Sequence, residues 1–533
     1  MRRLGLYLIE ALQAQGVRHV FGIPGVHNLE LYRGLAQGPI RHITGRHEQG
    51  LGFMADGYAR VSGRPGVCFT ITGPGLTNIA TAMGQAYGDS IPMLVISSQN
   101  RLGEGGSGCG FLHELPNQRE LASGVAAAAF SIRTPQELPG ALGKAFTLFD
   151  SARPRPVYIE IPLDVLAADA SGLPLPEVAR SAKAPPASLV QSAAAIVRAA
   201  RRPVILAGGG AIRAASELKR LAERLDAPTV MTANARGLLT PGHPLAVPIS
   251  PMLAPVRRLI ATADAVLAVG TEIGPTDYSL DMRADFPNPP QLVRIDIDPD
   301  QLTRGATPVL GICADSQATL SLLESCDLGP ARENGGASRA AAARTDGLEA
   351  LAAFSASLRA HVDLLELIRD TLPNPVLVGD STQLVYAGNL GFNAQSPASW
   401  FNSATGYGTL GYALPASTGA SLAAPDRPVV CLVGDGGLQF SLSELATLGD
   451  VGGWTAVLIW NNQGYGEIRT AMLQAGIEPE GVEVRPPDFA HLARAFGHPH
   501  RRITSRESLR KALQEFASRR RVVVLEIPAE EFS

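Results

Sequence analysis

At 533 residues the chain is long enough for about two to four domains, each able to bury its own core. Apolar residues make up 45% and charged residues 18%, with 56 glycines and 40 prolines, the profile of a turn-rich α/β protein rather than a disordered or fibrous one. A net charge of −3 without any Lys/Arg block excludes a nucleic-acid groove and a polybasic membrane surface, so neither nucleic acid nor membrane is expected as a partner.

The N-terminal stretch MRRLGLYLIEALQAQGVRHVFG opens on an apolar run that Glu10 and Gln13 interrupt, while Leu4, Leu8, Leu12 and Val17 form a helical stripe feeding a strand. HVFGIPG then reads as strand and turn, and IRHITG as a strand leading into the helix EQGLGFMADGYARVSG. GVCFTITGPG is a further strand and turn, followed by the helix LTNIATAMGQAYGDS and the strand PMLVISS. Apolar runs without alternation predict parallel strands covered on both faces. The block closes near PVYIEIPLDV, and SGLPLPEVARSAKAPPAS reads as a linker. PVILAGGG, APTVMTAN, ADAVLAVG and QLVRIDIDPD supply the strands of a second block, and GPARENGGASRAAAARTDG a second linker. PVLVGD, RPVVCLVGDGG, TAVLIWNN and RVVVLEI are the strands of the third. The expectation is three doubly wound parallel-sheet α/β domains at 1–170, 186–328 and 355–533, the first and third sharing a rhythm. No stretch of about 18 uncharged apolar residues occurs. Cys68, Cys109, Cys313, Cys326 and Cys431 are scattered without CxxC spacing, as in a reducing compartment, so a cytoplasmic location is expected.

VVCLVGDGG places Asp435 at the carboxyl end of a buried strand, where open α/β sheets put their ligands. Gly434, Gly436 and Gly437 let backbone N–H groups approach an anion, and the helix SLSELATLGD follows. TAVLIW delivers Asn461 and Asn462 to the same sheet edge. A carboxylate, an amide oxygen and a free backbone carbonyl are hard donors suited to Mg²⁺ bridging protein to diphosphate. Taken singly, GDG and NN are each ordinary turn chemistry; together, at successive strand ends, they point to a site.

GDG followed at this interval by NN resembles the signature of thiamine-diphosphate enzymes, and nearly the whole chain resembles the pyruvate oxidase, acetolactate synthase and benzoylformate decarboxylase superfamily. The resemblance implies pyrimidine-binding, central and diphosphate-binding domains in that order. It implies Mg²⁺ held by Asp435, Asn462 and the Gly464 carbonyl, and places Gly434, Gly436, Gly437, Thr382, Gln383 and Tyr465 about the diphosphate. Leu410 matches the side chain wedged beneath the cofactor, with the Gly408 carbonyl beside it, although a Leu between glycines also serves plain packing. Thr72 and Asn78 would meet the cofactor in the first domain. Glu48, in ITGRHEQGLGFMADGYAR, matches the carboxyl group that exchanges a proton with the aminopyrimidine. Its plainer reading is a helix-start acid favoured by the helix dipole. In this family the two cofactor-binding domains that meet belong to different subunits, which implies a homodimer at least and a homotetramer by analogy.

The reaction implied is attack on a 2-oxo acid with loss of CO₂ to leave a cofactor enamine, whose fate sets the product. His113 and Glu114 in GGSGCGFLHELPNQRE, and His27 in GIPGVHNLE, are candidates to carry a proton to it, the alternative for His113 being an ordinary loop histidine. TGPGLTN is similar to the acetolactate synthase segment, but QGYGEIRTAMLQAGIEP after Asn462 departs from it. AGGGAIRAAS lacks GxGxxG, so FAD is possible but unsupported, and a glycine-rich helix entry that merely packs fits as well. HELPNQ together with NNQGYGEIR is most similar to the group labelled 5-guanidino-2-oxopentanoate decarboxylases, whose guanidinium tail would want carboxylates such as Glu114, Glu467 or Glu478. A non-oxidative 2-oxo acid decarboxylase is expected, with an acetolactate synthase-like carboligase and a non-catalytic cofactor-binding paralogue as alternatives.

Overall fold

The computed structural model describes residues 2–179, 183–278, 286–287 and 289–532. Residues 1 and 533, the outer limits of the expected first and third domains, and residues 180–182 of the first linker lie outside them. Among the described residues, eighteen strands form three six-stranded sheets, every pairing parallel.

The N-terminal sheet contains β1 (His19–Gly22), β2 (Arg41–Ile43), β3 (Gly66–Thr70), β4 (Met93–Gln99), β5 (Ala128–Ser131) and β6 (Val157–Pro162). The central sheet holds β7 (Pro203–Ala207), β8 (Thr229–Met231), β9 (Ala246–Val247), β10 (Ala265–Val269), β11 (Leu292–Asp296) and β12 (Leu310–Cys313). The C-terminal sheet holds β13 (Val376–Gly379), β14 (Trp400–Asn402), β15 (Val429–Gly434), β16 (Thr455–Asn461), β17 (His500–Arg502) and β18 (Val523–Pro528). Strands β3, β6, β7, β10 and β11 are buried along their whole length because helices cover both faces, which explains their unbroken apolar sequences.

The first and third sheets share one topology, β2-β1-β3-β4-β6-β5 and β14-β13-β15-β16-β18-β17. The chain reverses its winding between β1 and β3 and between β13 and β15, the points outside whose carboxyl ends such sheets bind ligands. The central sheet runs β12-β11-β10-β7-β8-β9, the other doubly wound order, and its reversal lies between β7 and β10. There Gly208 and Gly210 pack on backbone: a Cβ on Gly208 would stand 2.1 Å from the Gly270 carbonyl oxygen, and one on Gly210 2.9 Å from Gly270 Cα. The glycine-rich entry therefore has a packing role, and a cavity of about 390 Å³ opens beside it between the central sheet and Arg60, Asp89 and Phe401. No helix of the described residues is long and apolar enough to cross a membrane.

The N- and C-terminal sheets share one core, in which Phe21, Phe53, Met54 and Met83 pack with Tyr412, Leu414, Val433 and Ile459. Helices Glu48–Ser62 and Ala413–Ala423 cross at its centre with backbones in contact. A Cβ on Gly57 would lie 2.1 Å from the Ala416 carbonyl oxygen, and one on Gly419 1.9 Å from that of Met54. Beside the crossing, buried Arg60 donates to Asp56 at 2.7 Å and to Asp89 at 2.6 Å, the Tyr412 hydroxyl also donates to Asp56, and the guanidinium stacks 5.3 Å from the Phe401 ring centroid. Losing one partner of such a cluster would strand a buried charge at a cost of about 3–5 kcal/mol.

Because Gly419 meets main chain, which no rotamer change relieves, Gly419→Ala should cost about 3 kcal/mol or more. Gly140, inside helix Glu137–Ser151 with nothing within 4 Å of its would-be Cβ, is the control: Gly140→Ala should gain about 1 kcal/mol. Urea unfolding of both variants checks the pair.

Candidate active site

The carboxyl ends of β13, β15 and β16 lie side by side and deliver Asp380, Asp435 and Asn461–Asn462 to one edge. Asp435 is 1% exposed, yet its Oδ2 has no hydrogen-bond partner. Burial pushes its carboxyl pKa up, against the pull of the Asn462, Gly436 and Gly464 backbone N–H groups. After β16 the chain turns sharply, with Gln463 at φ +63° and Gly464 at φ +145°, and a Cβ on Gly464 would lie 2.6 Å from the Val482 carbonyl oxygen. One terminal atom of the Asn462 amide comes to 2.8 Å from the Gly464 carbonyl oxygen and 3.0 Å from Asp435 Oδ1. With nitrogen there, it donates to both. With oxygen there, three hard donors face one another at the spacing of neighbouring ligands around a cation bound at about 2.0–2.1 Å. The donor set and the orphaned Asp435 oxygen fit a small divalent cation. Among the described residues no three His, Cys, Asp or Glu side chains cluster to form a different metal site.

The surrounding residues expected at the cofactor divide into free and engaged groups. Gly436 carries no side chain because Tyr465 covers it, its would-be Cβ 2.7 Å from the ring. Thr382 is buried at the start of helix Gln383–Gly391, and its hydroxyl would lie 3.3 Å from a Cβ on Gly434. Gly437 has Asp380 Oδ1 as its nearest neighbour, 3.4 Å from its would-be Cβ. Gln383 is engaged within the protein, by Trp460, Asn462 and Glu467. Gly408, exposed at φ +80°, and half-buried Leu410 sit on a taut turn. Thr409 donates from its N–H and hydroxyl to Gln85 Oε1 at 3.3 and 2.9 Å, and a Cβ on Gly411 would strike Phe440 at 2.6 Å.

Glu48 opens its helix, whose first turn His47 caps by accepting from the Gln49 N–H at 3.1 Å. Asn78 Nδ2 donates to Glu48 Oε2 at 2.9 Å. Among the described residues no hydrogen bond joins Glu48 to Asp435, Asn462, Thr382 or Leu410. His27 and His113 are brought together, ring centroids 5.1 Å apart and edge to face. Burial, then the neighbouring His113, lowers the His27 pKa, with Glu104 opposing, and buried His27 Nδ1 has no partner. His113 is held at φ +62°, its carbonyl oxygen 2.4 Å from a would-be Cβ on Gly73 at the start of helix Pro74–Asp89, the helix that also carries Asn78. The two histidines and Glu48 thus hang on one short stretch of chain.

Four expected residues face elsewhere. Glu114 turns into its own loop, accepting from Ser107 Oγ and Gly108 N on one oxygen and from Gly110 N and Phe111 N on the other, all within 3.1 Å. These donors lower its pKa and leave it as a loop organiser. The Thr72 hydroxyl is buried against Ser98 Oγ at 3.0 Å. Glu467 is tied to Gln383, and Glu478 is exposed.

Two further carboxylates escape sequence reading. Glu444, 1% exposed, accepts the Arg46 and His47 N–H groups, each at 3.0 Å, and so fixes the chain entering Glu48. A Cβ on Gly50 would lie 2.5 Å from it. Asp380, fully buried, accepts from the Ala413 N–H at 3.2 Å and the Ser381 N–H at 2.8 Å, with Gly411 and Tyr412 N–H groups also facing it, and so anchors the Leu410 turn. The strand-end rule that marks Asp435 in GDG applies equally to Asp380 in GDST. Burial raises the Asp380 pKa from 3.8 to about 6. A raised folded value means the native state holds the proton more tightly, so this contribution to stability is full below pH 4 and lost as pH rises through 6. The stability difference between the wild type and Asp380→Asn should therefore shift by about 3 kcal/mol in favour of the variant between pH 4 and pH 7, measured by urea unfolding.

Residues 2–123 match the family model "Thiamine pyrophosphate enzyme, N-terminal TPP binding domain", residues 190–323 its central domain and residues 380–527 its C-terminal TPP binding domain. The chain is 46% identical to a "Probable 2-ketoarginine decarboxylase AruI" of Pseudomonas aeruginosa, over 98% of this chain and 93% of that protein. It is 30% identical to the acetolactate synthase isozyme 1 large subunit of Escherichia coli, over 96% and 91% of the two chains. An acetolactate synthase of Arthrospira platensis is likewise 30% identical, over 98% and 93%. With all three domain models matched in order on three parallel sheets, the chain belongs to the thiamine pyrophosphate-dependent enzymes.

Proposed function

We propose that this enzyme decarboxylates a 2-oxo acid with a guanidinium-bearing side chain, non-oxidatively and with Mg²⁺. The observation that carries this reading is the 46% end-to-end identity to a protein named for decarboxylation of 2-ketoarginine, against 30% for the acetolactate synthases. Thiamine diphosphate, when bound, supplies the carbanion that adds to the substrate carbonyl and the electron sink that lets CO₂ leave.

The residues of the chain then have distinct tasks. Asp435, Asn462 and the Gly464 carbonyl would hold Mg²⁺, and through it the diphosphate, with the backbone at Gly434, Gly436 and Gly437 as the further residues that would support it. Leu410 and the Gly408 carbonyl would support the rings, kept in place by Asp380 and Gln85. Glu48, with Oε2 steadied by Asn78, is left to hold and release a proton toward the aminopyrimidine. His27, its pKa lowered by burial and by the neighbouring His113, would be a candidate to accept or pass a proton. Retention of Glu48, Asp435 and Asn462 together speaks against a non-catalytic paralogue.

Among the described residues no hydrogen bond joins Glu48 to the Asp435–Asn462 edge, which favours completion of the site by a second copy. Apolar side chains crowd that rim: Tyr407, Phe440, Ile468, Leu473 and Ile477 are each more than half exposed, and helix Gly466–Gln474 buries no residue. A patch of this kind next to a site is a surface that a partner covers.

Incubating purified protein with Mg²⁺, thiamine diphosphate and a panel of 2-oxo acids should release CO₂ and a guanidino aldehyde from 5-guanidino-2-oxopentanoate. Acetolactate from pyruvate would favour the carboligase instead, and a flavin absorption band would bring oxidation back. Glu48→Gln should lower kcat by about 10²- to 10⁴-fold, and equal turnover would remove Glu48 from the mechanism. Gel filtration with activity assays should find turnover only in dimers or larger species; an active monomer would overturn the shared site.

A further inference from the structure

Gln383 offers the cation site a control on orientation. Trp460 Nε1, which can only donate, lies 2.9 Å from one end of the Gln383 amide, so that end is oxygen. The Glu467 carboxylate, which can only accept, lies 2.8 Å from the other end, so that end is nitrogen. Trp460 is itself fixed, 1% exposed with His361 packed edge-on at 4.9 Å. Asn462 approaches the same Gln383 oxygen at 3.4 Å, where only an N–H is favourable. That places Asn462 Oδ1 on the far side, opposite the Gly464 carbonyl oxygen and Asp435 Oδ1 at 2.8 and 3.0 Å.

We propose that Gln383 is a positioning residue that holds the Asn462 amide with its oxygen, rather than its nitrogen, toward the cation. Released from Gln383, the amide turns over, donates to Gly464 and Asp435 at those distances, and closes the site with internal hydrogen bonds that a cation must first break. Held by Gln383, three oxygens face one another and are relieved only by positive charge. The inference rests on the reading of Asp435, Asn462 and Gly464 as cation ligands.

Mn²⁺ titration at fixed thiamine diphosphate, following free Mn²⁺ by electron paramagnetic resonance, tests it without turnover. Gln383→Leu should weaken Mn²⁺ binding by about 10- to 100-fold while thermal unfolding of the metal-free protein stays close to wild type. In an Asn462→Asp background both terminal atoms are oxygens and orientation no longer matters, so the same change should have less than about a threefold effect. Gln383→Glu combined with Glu467→Gln, which keeps an acceptor toward Trp460 and Asn462 and moves the donor to residue 467, should restore near-wild-type affinity. Equal losses in both backgrounds, or no loss in the first, overturn the proposal. Should Gln383→Leu not fold, Trp460→Phe together with Glu467→Ala removes both groups that orient Gln383 and must also weaken Mn²⁺ binding; unchanged binding there overturns it as well. Wild-type protein that takes up no Mn²⁺, or Asp435→Ala that binds it unimpaired, would instead sink the cation site itself.

Discussion

The contact on which the site depends is the backbone-to-backbone crossing of helices Glu48–Ser62 and Ala413–Ala423. Each helix begins at a functional element: one at Glu48, the other just after the Leu410 turn. Bare Gly57 and Gly419 let the axes approach until carbonyl oxygens fill the space a Cβ would need. The Asp56–Arg60–Asp89 cluster then pins both helices to helix Pro74–Asp89, which carries Asn78. Interiors packed this closely transmit displacement rather than absorb it. A shift at the crossing would therefore move the Glu48 carboxyl group and the Leu410 turn together.

What the sequence made legible follows from the same packing physics. Strands covered on both faces carry long apolar runs, and the interior strands of all three sheets were readable on that basis, as was the shared rhythm of the first and third blocks. The unread strands, β5, β9, β12, β14 and β17, are all sheet edges. They are two to four residues long, and β5, β12 and β17 are largely half-exposed or exposed, so burial writes no periodic signal into them. The meeting of Asp435 and Asn462 on one sheet edge was legible because GDG and NN each end an interior strand. The positioning groups were not, since Glu444 in SLSELATL looks like any solvent-facing helix acid until another domain's backbone is folded onto it.

The carboxylates show why residue type alone misassigns roles. Glu114, Glu444 and Asp380 each accept several N–H or hydroxyl groups of their own chain and are consumed in shaping loops. Glu467 is committed to Gln383. Glu48 has one side-chain donor, and Asp435 keeps a buried oxygen with none. A carboxylate already satisfied has little to offer a ligand, whereas one left short in a buried setting carries a cost that a cation or a proton can relieve. Whether a carboxylate keeps an oxygen without a donor, which only the fold reveals, separates the two classes.

The same reasoning bears on how the guanidinium tail of a substrate would be recognised. Glu114 and Glu467 are the acids nearest in sequence to the motifs, but both are already engaged, and Glu478 is solvent-exposed, where an ion pair is worth little. Among the described residues, the carboxylate that acts on His27 is Glu104, half-buried with one oxygen accepting the Arg101 N–H at 3.2 Å. Either the Glu114 loop opens and trades four internal donors for a guanidinium, or an acid not so committed, Glu104 or one on a second copy, would recognise it. The second route requires no internal hydrogen bond to break. Were that acid to come from a second copy, substrate selection, like the proposed meeting of Glu48 with the Asp435 edge, would be a property of the assembly rather than of the isolated chain.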